Sequence, residues 1–198
     1  MIRWCLHATP CGVLRLGAFG GRLCLCDWAD VPARDFVVRR LERGLHARFA
    51  EWPNERLRPG TGLPGIPAEP ESNFPDNPDD ADRCVLDRAV RQLDEYFAAQ
   101  RRVFDVPLLT VGTPFQRAVW ELLTEIPFGG TRSYAWLAAQ LGHPRAVRAV
   151  AAANRANALS IFIPCHRVVG SDGSLTGYAG GLAAKRLLLG LEQQQLLR

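Results

Sequence analysis

Near the amino terminus, two short segments alternate apolar and polar positions with a period of two. They are GVLRLGA at residues 12–18 and RLCLCDW at residues 22–28, and Gly20 and Gly21 stand between them. Such alternation is typical of half-buried strands, and paired glycines supply the backbone that a tight turn requires. The pattern therefore predicts a β-hairpin.

Apolar residues then recur at every fourth position in two longer segments, which predicts two amphipathic helices. The first helix is predicted over residues 33–50 and the second over residues 81–100, with an extended segment at 102–109. The predicted buried stripes consist of Phe36 or Val37, Leu41, Leu45 and Phe49 in the first helix, and of Val85, Ala89, Leu93 and Phe97 in the second.

Between these helices, residues 52–80 show no periodicity. They contain seven of the fourteen prolines in the chain and several glycines. Proline and glycine interrupt regular structure, so this segment is predicted to be a mobile surface loop.

A third helix is predicted from the segment GTPFQRAVWELL, which starts at Gly112. Thr113 can cap this helix, Pro114 suits its first position, and Gln116 can complete a capping box. The predicted buried stripe consists of Phe115, Val119, Leu122 and Ile126.

Two shorter helices follow in the sequence. Ser133 can cap YAWLAAQL, which Gly142 ends, and Pro144 is predicted to begin PRAVRAVAAAN. Two short helices joined by a turn of three to four residues indicate a helix-turn-helix. In the second helix Arg145 and Arg148 would share one face, and the alanines would let it approach a groove closely. An ordinary core helix with solvated arginines fits the same pattern.

Composition sets limits on these elements. A chain of 198 residues with 47% hydrophobic content can bury a core but seldom forms more than two domains. The amino terminus lacks a signal-peptide pattern and no run of 18 uncharged apolar residues occurs, so we expect a cytoplasmic protein that does not interact with membranes. The six cysteines show no paired CxxC motifs, which favours reduced thiols.

Charge is distributed unevenly along the chain. The net charge is +4, and residues 114–198 contain nine basic residues against four acidic ones. A basic carboxyl-terminal half is compatible with a polyanionic partner such as nucleic acid.

The segment SIFIPCHRVVGSDGSLTGYAGG, residues 160–181, places Cys165 next to His166. A thiol with its ordinary pKa of ~8.5 needs a base or cation nearby to become a nucleophile. Neighbours in a strand point to opposite faces, so the pair needs a turn or a bridging water, and Pro164 makes a bend plausible. Glu192 is the natural candidate to orient the imidazole. Taken alone, Cys165 also fits a buried, inert thiol.

Three segments together resemble one protein family. They are GTPFQRAVW, SYAWLAAQLGHPRAVRAVAAAN and NALSIFIPCHRVVGSDGSLTGYAGGLAAKRLLLGLE, which cover nearly all of residues 112–192. They are similar to the O6-alkylguanine-DNA alkyltransferases, in particular the bacterial methylated-DNA--protein-cysteine methyltransferases. The amino-terminal half matches mainly at ATPCGVLRLGA.

The resemblance implies an α+β fold with two domains. Residues 1–110 would form a ribonuclease-H-like α/β domain with a structural role, in which the segment 52–80 looks like an insertion relative to compact members. Residues 111–198 would form a mostly helical, winged-helix-like domain that carries the helix-turn-helix, binds DNA and accepts the alkyl group.

The resemblance also implies a reaction. The protein would repair DNA by transferring the alkyl group of O6-alkylguanine, and of O4-methylthymine, irreversibly to Cys165, so that one molecule repairs one base. His166, acting through a water, and Glu192 would remove the thiol proton, and Asn157 would tie the helix-turn-helix to the active-site loop. The expected partner is double-stranded DNA, bound by a monomer that can act cooperatively. No cofactor and no metal are expected, because Cys5, His7, Cys11, Cys24 and Cys26 do not match the zinc pattern of some relatives.

The same resemblance suggests residues that bind DNA and the damaged base. Arg148 would fill the base stack after the damaged nucleotide rotates out of the duplex, and the recognition helix would lie in the minor groove. Tyr134, which is also expected to be a catalytic residue, would lie near the phosphate and the guanine ring, and Tyr178 near the leaving O6 oxygen. Further DNA- and alkylguanine-binding residues would be Ser133, Arg155, Val168, Ala179 and Lys185, although Ala179 replaces a serine of some relatives.

Three other functions differ from this one in features that can be checked. A damage-binding relative without repair activity would lack the acceptor thiol, whereas Cys165 is present. A thiol-sensing transcription factor would be dimeric and would need base-reading side chains where this chain has alanines. A cysteine hydrolase would need an oxyanion hole and would turn over repeatedly.

Overall fold

The computed structural model describes residues 1–51 and 78–196. Its amino-terminal part contains the strands β1 (Ile2–Thr9), β2 (Gly12–Ala18), β3 (Leu23–Trp28) and β4 (Phe49–Glu51). They form a four-stranded sheet in the order β3-β2-β1-β4. The antiparallel pair β2 and β3 confirms the predicted hairpin, and Gly20 and Gly21 in the turn have φ of 59° and 70°.

The first helix is shorter than predicted. A 3-10 turn at Pro32–Arg34 leads into α1 (Asp35–Leu45), which ends where His46 adopts a left-handed backbone with φ of 48°. The prediction of a helix to residue 50 is therefore wrong, because Phe49 belongs to β4, which pairs in parallel with β1.

The second helix, α2 (Pro78–Phe97), packs across the sheet. Val85, Ala89 and Leu93 are buried, as its periodicity predicts. Residues 78–80 were predicted to end the proline-rich loop but belong to this helix, and the rest of that predicted loop lies outside the described residues. The following extended segment bridges to the sheet edge at Leu23 and Leu108.

The carboxyl-terminal part is mostly helical. Thr113 and Gln116 form the predicted capping box at the start of α3. The helices are α3 (Pro114–Thr124), α4 (Tyr134–Gln140), α5 (Val147–Arg155) and α6 (Gly181–Leu196), and a short parallel pair joins β5 (Arg132–Ser133) to β6 (Val168–Val169).

Two details of these helices differ from the sequence patterns. Helix α3 buries Trp120 and Leu123 beside Val119, whereas Leu122, predicted for the stripe, is only half-buried. Phe115 is also half-buried.

Helix α5 begins at Val147 instead of Pro144, because the residues before it form a turn closed by the Ala146 N–H donating to His143 O (2.8 Å). Arg145 therefore precedes the helix, and it does not share a helical face with Arg148.

The larger hydrophobic cluster joins the two parts of the chain. It contains Leu14 and Leu93 from the amino-terminal part together with Val119, Cys165 and Leu188 from the carboxyl-terminal part. The α+β class is thus confirmed, while the boundary at 110/111 and the ribonuclease-H-like and winged-helix assignments stay predictions. Within the described ranges, no helix is both long and apolar enough to span a membrane.

Candidate active site

Cys165 lies in a buried turn between α5 and β6. The chain reaches it through Ile161, whose φ of 74° is an uncommon backbone conformation for a β-branched residue. Residues Cys165–Arg167 form a single 3-10 turn directly after Pro164, which is the bend that the sequence suggested. The Cys165 side chain is 3% exposed. Strained, buried backbone of this kind is common where a structure fixes a reactive group.

Asn157 holds this turn in place. Its Nδ2 donates to Ile163 O at 2.9 Å, and its Oδ1 accepts from the Leu159 N–H at 2.9 Å. Asn157 follows the end of α5, so it connects that helix to the residues that precede Cys165. The role of Asn157 in tying the helix-turn-helix to the active-site loop stays a prediction.

The thiol of Cys165 is held in its neutral form. Burial raises the pKa of Cys165, and the hydrogen bond from Asn157 and the positive charges of Arg34 and Lys185 oppose this only in part. A base is therefore needed to create the thiolate.

His166 and Glu192 form a buried pair. His166 Nε2 and Glu192 Oε1 are 2.8 Å apart, and both side chains are fully inaccessible. Since an ionised carboxylate can only accept, Nε2 carries the proton and Nδ1 has a free lone pair. Nδ1 is buried and has no hydrogen-bond partner in the described part of the chain. In the neutral imidazole, Nδ1 is thus an acceptor that no described residue uses.

Glu192 receives three further donors that the sequence did not suggest. Arg167 donates through Nε to Oε2 (2.9 Å) and through Nη2 to Oε1 (3.0 Å). The Tyr96 hydroxyl donates to Oε1 and the Gly129 N–H to Oε2, each at 2.9 Å. Arg167 directly follows His166 in the sequence, whereas Tyr96 is 96 residues from Glu192 with no local pattern to indicate the contact.

These contacts set the charges of the pair. Burial alone raises the pKa of Glu192, but His166 and Arg167 outweigh it and bring the pKa down to about 2. Burial lowers the pKa of His166, and Glu192 opposes this only in part. The site therefore holds an anionic carboxylate beside a neutral imidazole at neutral pH.

Two tyrosines stand at the same site. The Tyr178 ring packs edge-on against Trp28 and His166, with centroid distances of 5.9 Å and 6.4 Å. Its hydroxyl is buried without a partner among the described residues, and burial raises its pKa well above the ordinary value. Burial also raises the pKa of the half-buried Tyr134. Both phenols therefore remain protonated donors at neutral pH.

The other predicted binding residues divide into two groups. Arg148 and Arg155 are exposed on α5, Ala179 is half-buried, and Ser133 caps α4 by accepting from the Trp136 N–H at 3.0 Å.

Val168 and Lys185 are fully buried, and their part in binding DNA or alkylguanine stays a prediction. Lys185 Nζ donates to Val168 O (2.5 Å) and Thr176 O (2.7 Å), and burial lowers its pKa to about 8. It connects the loop before Tyr178 to β6.

Two arginines of the amino-terminal part cap the end of α5. Arg34 pairs with buried Asp27 (Nε to Oδ2, 2.7 Å) and donates to Arg155 O and Asn157 O. Arg40 Nη2 donates to Ala156 O at 2.7 Å. The carbonyls at a helix carboxyl terminus carry partial negative charge, so these cations stabilise both the helix end and the start of the active-site turn. Neither residue was predicted from the sequence.

The cysteines of the sheet form no metal site with their neighbours. Residues 1–51 and 78–196 hold no group of three histidine, cysteine or acidic side chains arranged to bind a metal. His7 Nε2 lies 2.9 Å from Asp94 Oδ1, and all six cysteines are free thiols.

Comparison with known proteins places these features in context. Residues 114–194 match the family model described as 6-O-methylguanine DNA methyltransferase, DNA binding domain. The chain is 54% identical over 108 residues to the methylated-DNA--protein-cysteine methyltransferase of Methanosarcina barkeri and 53% identical over 109 residues to the constitutive one of Bacillus subtilis. These alignments cover 54% of this chain and 68% and 66% of the two relatives.

A solved structure extends the similarity to nearly the whole chain. The Mycobacterium tuberculosis OGT, crystallised in complex with DNA, is 34% identical and has a TM-score of 0.72, covering 98% of this chain and 94% of its own. An O6-methylguanine-DNA methyltransferase from Pyrococcus kodakaraensis, at 23% identity and a TM-score of 0.54, shares the fold.

Proposed function

The chain belongs to the methylated-DNA--protein-cysteine methyltransferase family, and on that premise we propose that it repairs DNA by moving the alkyl group of O6-alkylguanine onto its own Cys165. The observation that carries the proposal is the buried turn that sets Cys165 beside an imidazole whose Nε2–H is fixed by Glu192. A nucleophile, a base and a group that orients the base are the parts that thiol catalysis requires.

The transfer is a direct displacement at carbon. The Cys165 sulfur forms a bond to the alkyl carbon as the bond from that carbon to guanine O6 breaks, and the electron pair stays on O6. The product thioether has no proton to lose and its sulfur is a poor leaving group. Each chain therefore repairs one base, and the site is not regenerated.

His166 receives the thiol proton. Consecutive side chains of a 3-10 turn point in directions about a third of a turn apart, so one bridging water is expected between Cys165 Sγ and His166 Nδ1. The proton arrives at Nδ1 while Nε2–H stays bonded to Glu192. The resulting imidazolium is stabilised by the carboxylate, as in other nucleophile-base-acid arrangements.

Tyr178 assists the leaving guanine. Its hydroxyl stays protonated at neutral pH and its ring is held by Trp28. A donor aimed at the developing charge on O6 lowers the barrier to displacement. Tyr134, at the start of α4, is proposed to contact the guanine ring and the adjacent phosphate.

Helices α4 and α5 form the proposed helix-turn-helix. The exposed Arg148 and Arg155 give α5 a positive charge that attracts the duplex, and the alanines between them keep the helix narrow enough for the minor groove. A stacked base cannot present its alkyl carbon to a buried thiol, so the nucleotide must rotate out of the duplex. Arg148 fills the space that the rotated nucleotide leaves in the base stack.

The substrate is double-stranded DNA that contains O6-alkylguanine, bound by a monomer. O4-methylthymine has the same alkyl-oxygen bond on a ring edge, and we include it as a second substrate. Ser133 and Ala179 are adjacent in the chain to Tyr134 and Tyr178, and we include them among the residues that bind DNA or alkylguanine.

The test is intact-protein mass after mixing with a duplex that carries one O6-methylguanine, followed by peptide mapping. We expect a gain of one methylene mass on Cys165 that stops at one equivalent. Cys165→Ser should gain nothing while still binding the duplex, and Cys84→Ser, which alters an exposed thiol, should react like the parent. Tight binding by the parent without any mass gain would refute alkyl transfer, and a gain on another cysteine would refute the assigned acceptor.

A further inference from the structure

We propose that Tyr96, which lies in the amino-terminal half of the chain, is a positioning residue for alkyl transfer that tunes His166 through Glu192. This inference rests on the function proposed above. Its basis is the hydrogen bond from the Tyr96 hydroxyl to Glu192 Oε1 at 2.9 Å. The same oxygen accepts from His166 Nε2 at 2.8 Å and from Arg167 Nη2 at 3.0 Å.

The Tyr96 hydroxyl is held rigidly in this position. Tyr96 is fully buried on α2, and its ring packs against Phe97, Phe104 and Phe128 at centroid distances of 5.3 Å, 5.4 Å and 6.3 Å. Burial and the negative charge of Glu192 raise the pKa of the phenol, so it remains a donor throughout the working range of pH. The packed ring holds the hydroxyl at hydrogen-bond distance from the carboxylate.

Three donors therefore share one carboxylate oxygen. Each donor that binds Oε1 withdraws negative charge from the bond that this oxygen makes with His166. Glu192 is thereby a weaker partner for an imidazolium than an isolated carboxylate would be, which keeps His166 neutral and able to accept the thiol proton. Charged and titratable groups surround His166 on several elements. They are Glu192 and Lys185 on α6, Cys165 and Arg167 in its own turn, Tyr178 in the loop before α6, and Tyr96 on α2.

The test variant is Tyr96→Phe, which retains the ring and removes one donor. With that donor gone, Glu192 attracts the imidazolium proton more strongly, and the pKa of His166 rises. We expect the midpoint of the acid limb in the rate of transfer to move to higher pH by about half a unit or more, so that transfer on that limb slows about threefold or more. Rates are measured in single turnover on the O6-methylguanine duplex between about pH 5 and pH 9.

Phe97→Leu is the matched control. It disturbs a ring that packs against Tyr96 without removing a hydrogen bond. It should lower the thermal midpoint of unfolding and leave the pH midpoint where it is in the parent. In a Glu192→Gln background, Tyr96→Phe should cause no further shift, because the carboxylate through which it acts is gone.

A direct titration of His166 by NMR in labelled protein gives a readout that does not require transfer. An unchanged His166 pKa in Tyr96→Phe would overturn the proposal, as would an equal shift in Phe97→Leu. These outcomes are separate from failure of the proposed function, which would appear as a parent protein that never alkylates Cys165 while the His166 titration still responds to Tyr96→Phe.

Discussion

The guanidinium of Arg167 donates two hydrogen bonds to the carboxylate of Glu192, with Nε 2.9 Å from Oε2 and Nη2 3.0 Å from Oε1. This bidentate pair is called the fork below. Paired bonds of this kind fix both the position and the charge of the acid. Because Arg167 already balances the negative charge, His166 is not required to be positive in the resting protein. The fork therefore explains how a buried acid orients a base without protonating it.

Arg167→Met should destabilise the fold strongly. The substitution keeps an unbranched apolar stem but leaves Glu192 buried without its cation, and loss of one partner of a buried pair costs about 3 kcal/mol or more. Chemical unfolding at pH 7 measures this free energy. Arg117→Met on the exposed face of α3 is the control and should change stability by about 0.5 kcal/mol or less. Similar losses in both variants would show that the fork contributes little.

Acid should weaken the fold through both members of the His166–Glu192 pair. In the folded protein the pKa of His166 lies below its ordinary value of 6.5. Its contribution to the free energy of unfolding is therefore fully present above pH 6.5 and declines as the pH falls below that value. The folded pKa of Glu192 lies at about 2 against an ordinary 4.5, so its contribution is lost as pH falls through that interval, and it amounts to roughly 3 kcal/mol.

Urea unfolding at several pH values between about 7 and 3 checks this dependence. Glu192→Gln has no carboxylate to titrate at this position, so its stability should decline less steeply below about pH 4.5. Parallel curves for parent and variant would contradict the assignment.

Local patterns were sufficient for much of the carboxyl-terminal part. The helix caps are short-range contacts, in which donor and acceptor lie within four residues of each other in the sequence. They are the capping box of Thr113 with Gln116 and the cap by Ser133. Glu192 could be chosen because it and Asp172 are the only acids after Cys165.

Contacts between distant parts of the chain could not be predicted in this way. Strand β1 was not predicted because its buried residues, Ile2 and Cys5, are three positions apart and do not alternate with a period of two. Arg34 and Tyr96 reach Asn157 and Glu192 across 123 and 96 residues, and nothing in their own neighbourhoods indicates a partner. The burial of Lys185 was likewise not predictable, since a lysine is ordinarily exposed.

Gly180→Ala should slow transfer by displacing the loop that carries Tyr178. A Cβ at Gly180 would overlap the ring of Trp28, which is itself buried in β3 and supports Tyr178. The loop must therefore move, and we expect single-turnover rates to fall about tenfold or more, equal to a barrier increase of about 1.4 kcal/mol. Gly190→Ala on α6 meets no neighbouring atom and should keep the parent rate. A parent-like rate in Gly180→Ala would show that the Trp28 contact does not position the phenol.

Arg148→Ala separates opening of the duplex from chemistry at the thiol. Arg148 is exposed on α5, whereas Cys165 is buried, so the arginine can act on the duplex without touching the reacting sulfur. Extrusion of a nucleotide costs a few kcal/mol, and a guanidinium in the vacated stack offsets part of it. We expect repair of the duplex to slow about tenfold or more, while reaction with free O6-benzylguanine, which needs no opening, stays near the parent rate.

Arg145→Ala is the control for this experiment because it removes the same charge three residues away. Arg145 lies in the turn before α5, so it can attract phosphate but is not carried on the helix that is proposed to enter the groove. Its loss should weaken duplex binding mainly at low salt and leave the rate at saturating DNA unchanged. If Arg148→Ala slowed the duplex and the free base equally, Arg148 would be acting on the reaction itself. If the two arginine variants behaved alike, Arg148 would contribute only charge.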